Sequence, residues 1–254
     1  MATYKKRGYK PKNKKEQEEI VEENSTTAEV FNTLDESASK TEEWVVGNQK
    51  YIIGVIAVAA VLVLGYLGYN KFIAAPTEKE AMNEMYTAKK YFDDAASGVA
   101  PDSLYTMALN GGEGKYGMVD IASEYSGTPA GNQANYYAGI AYLNLKDYQK
   151  AIEYLSDFSS DDIMLNAISK GAIGDAFVQL EQMNEGLEYY EKAFKANVNE
   201  FTTPLYLMKA ARLALDLGEN EKALDYLNRI KTEFPSSTEA SKVDVFIGKA
   251  EASL

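Results

Sequence analysis

Cysteine and histidine are both absent from the 254 residues. Their absence excludes disulfides, thiolate nucleophiles, histidine general bases and nearly every usual zinc or copper site. It leaves the compartment open, because a disulfide-free chain is stable in cytosol and periplasm alike. Apolar periodicity is also scarce at the start: the first 43 residues hold almost no core-forming pattern. Carboxylates are plentiful, but the pairs Asp93-Asp94 and Asp161-Asp162 sit at expected helix ends, where capping and solubility account for them. The segment NGGEGKYG lacks the lysine-serine ending and the preceding strand of a phosphate loop. No catalytic, cofactor-binding or metal-ligating residue is assigned, and no small-molecule substrate; the chain reads as a binding protein, not an enzyme.

The net charge of −12 is divided into blocks. Residues 1–15 carry seven basic residues and no acid, and residues 16–43 carry ten acids against Lys40 alone. Residues 76–254 carry 28 acids against 16 bases, a balance of −12, which repels nucleic acid and anionic lipid over most of their surface. Only the basic block, with Tyr4 and Tyr9 among its lysines, suits such ligands: residues 3–15 fit weak contact with anionic lipid or ribosomal RNA, or serve only as a solvated topology signal.

Between Lys50 and Lys71 the run YIIGVIAVAAVLVLGYLGYN has no charged side chain. Its twenty residues make about 30 Å of helix, enough to span a bilayer. Trp44, Tyr51, Tyr66, Tyr69 and Phe72 supply rings for the two interfaces. A transmembrane anchor is therefore expected over residues 44–73, with residues 51–70 in the membrane. The run starts too late and is too long for a cleaved signal peptide. Lys71, Lys79, Lys89 and Lys90 on the far flank oppose the tail's nine Lys/Arg, but a clustered basic tail is hard to translocate while a long C-terminal domain is not. The tail is placed in the cytoplasm and the remainder outside. Gly54, Ala57, Gly65 and Gly68 fall near one face of the anchor, where small residues permit a partner membrane helix to approach.

Residues 1–43 form a charged tail. Residues 1–24 read as disordered, and from Thr27 to Val45 the residues Val30, Phe31, Leu34 and Ala38 share a face suited to a juxtamembrane amphipathic helix.

The C-terminal part repeats with a period near 34 residues. Gly139, Gly174 and Ala211 are small on the first helix of each unit, and Ala151, Gly186 and Ala223 are small on the second, at steps of 35 and 37 residues. Tyr142, Phe177, Tyr190, Leu155 and Leu227 fill the space around them. Such hairpins leave an apolar face that only a neighbour covers, so they stack. Repeats are expected at about 132–165, 167–200 and 204–237, with a capping helix at 237–252 headed by Ser236 or Ser237. Helical runs at 78–96, 102–109 and 115–125 read as a degenerate opening hairpin. These residues closely resemble the tetratricopeptide repeat, although Ile163 and Val198 replace its terminal proline in the first two copies. The fold class expected is all-α: one transmembrane helix followed by a tetratricopeptide-repeat α-solenoid over residues 76–254.

The layout of charged tail, single anchor and about 180 exported residues resembles the YfgM family, ancillary subunits of the bacterial SecYEG translocon. That resemblance implies a bacterial inner-membrane protein whose partners are translocon subunits, periplasmic folding factors or exported chains. The alternative is an envelope scaffold for outer-membrane protein insertion or cell-wall assembly. The repeat resemblance implies that first helices line a concave groove, here with Tyr136, Ile140, Leu143 and Asn144, then Gly171, Asp175, Val178 and Gln179, then Met208, Arg212, Leu215 and Asp216. Ile140 and Asp175 occupy positions where some relatives carry a lysine-and-asparagine clamp for a C-terminal carboxylate. A peptide with apolar anchors fits better, held by Tyr136, Ile140 and Met208 and oriented by Asp175 and Arg212.

Overall fold

The structure, a computed structural model, describes the backbone of residues 14–98 and 100–254, and side chains from residue 41 onward apart from residue 99. Most of the basic block, with Tyr4 and Tyr9, lies outside the described residues. The chain divides into two units, one ending at Tyr69 and the other spanning Asn70–Leu254. Among the described residues every regular element is helical.

Helix α1 runs from Lys14 to Tyr69 and so begins within the stretch that composition reads as disordered. Lysine, glutamate and glutamine are good helix formers, which is why a strongly polar segment still propagates helix. The C-terminal part of α1 is long and apolar enough to cross a membrane, with a mean hydropathy of 2.4 and none of that window buried. A Cβ placed at Gly54, Gly65 or Gly68 meets open space.

The second unit opens with a π-helical turn at Asn70–Ala74 and helix α2, Ala75–Ala96. Pro76 stands in the first turn of α2, where its missing N–H and its ring disturb the preceding hydrogen-bond ladder. Thr77 Oγ1 donates to the Ile73 carbonyl at 2.8 Å and satisfies one group of that wider turn. Helices α3 (Pro101–Asn110) and α4 (Met118–Glu124) pack with α2 as an irregular first hairpin. Glu78 on α2 accepts from the backbone N–H of Ala130 at 2.9 Å, so the first hairpin caps the helix that follows.

Three regular hairpins follow: α5 (Pro129–Asn144) with α6 (Tyr148–Asp157), α7 (Ile163–Gln179) with α8 (Met183–Ala196), and α9 (Thr202–Asp216) with α10 (Asn220–Glu233). The first two start on side-chain caps. Thr128 accepts from Gly131 N at 3.0 Å, and Asp162 accepts from Met164 N and Leu165 N at 2.9 and 2.8 Å. Each hairpin turn closes with the same pair of backbone bonds, in which Asp147, Gln182 and Glu219 donate to the carbonyls of Tyr142, Phe177 and Ala214. The motif needs a left-handed residue, and glycine supplies it only once: Lys146 (φ 64°), Glu181 (φ 60°) and Gly218 (φ 78°) occupy it. After α10 a 3₁₀ turn at Ala240–Lys242 leads into α11, Val243–Glu251. The capping helix thus starts later than its sequence pattern suggests. Ser237 Oγ accepts from Ala240 N at 3.2 Å and heads the 3₁₀ turn instead, since serine and threonine side chains compete with helical backbone bonding.

Inside the hairpins, small residues set the spacing. A Cβ at Gly139 would lie 2.5 Å from Leu155 Cγ and 3.1 Å from the Leu155 amide nitrogen. One at Gly174 would lie 2.7 Å from the Tyr190 ring and 3.2 Å from the Gly186 carbonyl oxygen. In the third hairpin Ala211, Ala214 and Ala223 are fully buried. Gly139→Ala is predicted to cost about 1–3 kcal/mol, because Leu155 must be pushed off its helix contact. Lys146→Gly removes a left-handed side chain outside the core and should gain up to about 1 kcal/mol. Thermal unfolding followed at 222 nm in mild detergent should show a lower Tm for the first and a higher Tm for the second.

Candidate protein-binding groove

Successive first helices approach one another directly, α2 to α5, α5 to α7 and α7 to α9, more closely than successive second helices do. The first-helix side is therefore the inner side of the stack. Gly139 and Gly174 face their own partner helices, α6 and α8, so the residues turned away from that contact line this inner side.

On α5, Tyr136 is half-buried, with its ring 5.1 Å from Phe158 and 5.6 Å from Tyr137. Ile140 and Leu143 are half-buried against Leu155 and Ile173. Asn144 is exposed, and its amide turns back to donate to the Ile140 carbonyl at 2.8 Å.

On α7, Gly171 is not open. The ring of Tyr206, from α9, lies directly over it. Asp175 is half-buried and fully engaged: its carboxylate accepts from Tyr190 Oη at 2.6 Å and from Lys209 Nζ at 2.7 Å on both oxygens. Gln179 is exposed and accepts from Tyr148 Oη at 3.2 Å.

On α9, Met208 is 9% exposed and belongs to the core shared by α8, α9 and α10. It cannot anchor a ligand. Lys209, one residue on, instead reaches across to the Asp175 carboxylate of α7. Arg212 is exposed and lies 5.8 Å above the Phe246 ring of α11, while Asp216 is exposed with Lys249 Nζ at 4.0 Å.

The structure thus brings Asp175, Arg212 and Asp216 to one region and sets Tyr136 and Ile140 one repeat away. Sequence reasoning missed Tyr190, Tyr206 and Lys209. A signal for one of them exists: Lys209 stands 34 residues after Asp175, one repeat length, so opposite charges recur at nearly the same repeat position. Burial, reinforced by the Asp175 charge, raises the Tyr190 and Tyr206 hydroxyl pKa values well above the usual tyrosine range. Both phenols therefore stay neutral donors.

The second-helix side has its own carboxylate hub. Glu191 on α8 accepts from Lys195 Nζ at 2.7 Å, from Tyr226 Oη at 2.7 Å and from Lys222 Nζ at 2.9 Å. Burial works to raise its pKa, but the hydrogen bonds from Lys195, Tyr226 and Lys222 prevail and hold it down to about 2, against an ordinary 4.5. Asp175 and Glu191 thus fasten the second hairpin to the third from opposite sides.

Residues 119–158 and 172–238 match the model of the tetratricopeptide repeat. No curated protein matches the chain. The match falls on α4–α6 and on the stretch from the middle of α7 past α10, the regular hairpins just described. The fold is an all-α solenoid of tetratricopeptide repeats preceded by one long apolar helix. Such repeats serve as protein-interaction scaffolds and, as a class, do not catalyse reactions.

The Glu191 hub gives a pH dependence of defined sign. Its folded pKa lies below the unfolded value, so its contribution is complete above about 4.5 and is lost as pH falls toward about 2. Urea unfolding of the wild type at a series of pH values should show an acid decline that Glu191→Gln flattens. Tyr226→Phe, which removes one neutral donor from the hub, should cost about 1 kcal/mol at pH 7.

Proposed function

We propose that the chain is a membrane-anchored protein-interaction scaffold, acting as an accessory subunit of the Sec protein-export machinery. In this reading the N-terminus is cytoplasmic, residues 51–70 cross the bacterial inner membrane, and the repeats work in the periplasm. There they link translocon subunits to folding factors or to emerging chains. The observation that carries the reading is the pairing of two uncovered surfaces on one chain. An apolar helix has its small face at Gly54, Gly65 and Gly68 open, and the inner side of a tetratricopeptide solenoid leaves Arg212 exposed and Tyr136 and Ile140 partly exposed.

Each surface suits one class of partner. The helix favours another membrane helix, because small residues let backbones approach where lipid offers no hydrophobic driving force. The groove favours polypeptide in extended or short helical form. The resemblance of the layout to the YfgM family points to the export machinery as the setting. The basic residues before the anchor support a cytoplasmic N-terminus, and contact of residues 3–15 with anionic lipid or ribosomal RNA belongs to the same proposal.

Two measurements test it. Protease added to spheroplasts should digest the repeat unit and spare the tail. Affinity purification in mild detergent should recover translocon subunits, and replacing Gly65 and Gly68 with leucine should reduce that recovery while leaving the helical signal of the solenoid unchanged. Recovery of outer-membrane insertion or cell-wall subunits alone, or digestion of the tail with the repeats spared, would contradict the proposal.

A further inference from the structure

A pocket of about 230 Å³ opens on the inner side between α7, α8 and α9, lined by Val178, Tyr190, Lys209, Arg212, Leu213 and Asp216. Its walls are mainly apolar, from Val178, Leu213 and the Tyr190 ring, and its rim is charged. The volume has room for one aliphatic side chain of leucine or methionine size.

The state of each rim charge decides what fits beside that side chain. Lys209 is committed, since both Asp175 oxygens lie 2.7 Å from its ammonium. Asp216 has Lys249 at 4.0 Å. Arg212 differs from both: among the described residues it has no carboxylate within ion-pair distance, and its contact is with the Phe246 ring at 5.8 Å. A ring face leaves the edge of the guanidinium, with its forked donors, free for a planar anion.

A third observation extends the site toward α5. Tyr206 is 4% exposed, yet its hydroxyl makes no hydrogen bond among the described residues. It is not sealed off, because no described residue has a buried side-chain polar atom lacking a partner. The ring lies over Gly171, on the groove side of α7, beside Tyr136 and Asp175. A neutral phenol held there offers a donor to a carbonyl oxygen passing along the groove.

We propose that this pocket recognises, in a short segment of a partner polypeptide, an apolar residue adjacent to an acidic one. The apolar side chain enters between Val178, Tyr190 and Leu213, the acidic side chain pairs with Arg212, and a main-chain carbonyl of the segment accepts from Tyr206. The inference rests on the scaffold reading above and narrows it to a ligand chemistry. The surrounding unit is strongly acidic, so a polyacidic segment is repelled and a single carboxylate next to an apolar anchor is selected.

The test uses the full chain in mild detergent and fluorescein-labelled synthetic peptides. The probe is Ser-Gly-Ser-Leu-Glu-Ser-Gly-Ser, with versions in which Leu-Glu becomes Leu-Gln, Leu-Lys or Ser-Glu. Fluorescence anisotropy should rank Leu-Glu first, with Leu-Gln and Ser-Glu each about tenfold weaker. Arg212→Gln, at an exposed position, should erase the difference between Leu-Glu and Leu-Gln. Asp216→Asn should tighten Leu-Glu by removing a like charge from the rim, and Tyr206→Phe should weaken all the peptides equally. Equal binding of Leu-Glu and Leu-Gln, preference for Leu-Lys, or no binding of any peptide would overturn the proposal. The scaffold reading is judged separately by partner recovery: if wild type and Arg212→Gln recover translocon subunits equally while no peptide binds, the pocket assignment falls and the scaffold stands.

Discussion

The solenoid depends on how closely two antiparallel helices can approach. At Gly139 and at Gly174 the facing helix is so near that a single methyl group would overlap Leu155 or the Tyr190 ring. That closeness lets Leu155, Tyr190 and Leu227 sink into the seam and become fully or almost fully buried. With the seam filled by one large residue per hairpin, the remaining apolar faces point along the stack, where only the next hairpin covers them. The recurrence in sequence follows directly, because each copy must repeat the same small-against-large arrangement.

Apolar contact alone leaves neighbouring hairpins free to slide, and polar bonds restrain them. Asp175 gathers a tyrosine from its own hairpin and a lysine from the next, and Glu191 gathers a lysine from its own helix with a lysine and a tyrosine from the next hairpin. The two sets lie on opposite sides of the stack and bridge the same pair of repeats. Partial burial strengthens both, since a carboxylate with several donors loses little by leaving water. The floor of the groove between the second and third repeats is therefore already positioned, which would lower the ordering cost of the proposed binding.

Much of this was legible in the sequence, and the exceptions have physical causes. The hairpins announce themselves because glycine and alanine recur at fixed offsets from Tyr142, Phe177, Tyr190 and Leu227, and the uncharged run before Lys71 is long enough to read as a membrane helix without reference to the rest. Groove residues were harder. Met208 and Lys209 are adjacent, and only the rotation of α9 in its own hairpin decides which one is buried. Gly171 looks like open floor until a ring from the following repeat covers it, a contact no local pattern encodes. Lys146 and Glu181 adopt left-handed turns that favour glycine, and composition gives no cue because the backbone bonds of the turn impose the conformation. The later start of α11 reflects the run of serines and threonine after Pro235, whose side chains bond locally in place of a helical turn.

In the proposed function, polypeptide binds the first-helix side of the solenoid and the second-helix side has no such role. A photoreactive phenylalanine analogue at Gln179, exposed on α7, and another at Glu188, exposed on α8, compare the two sides in living cells. Irradiation should yield discrete polypeptide adducts from position 179 and none from position 188. Adducts of equal yield at both positions, or at 188 alone, would contradict the assignment of the groove.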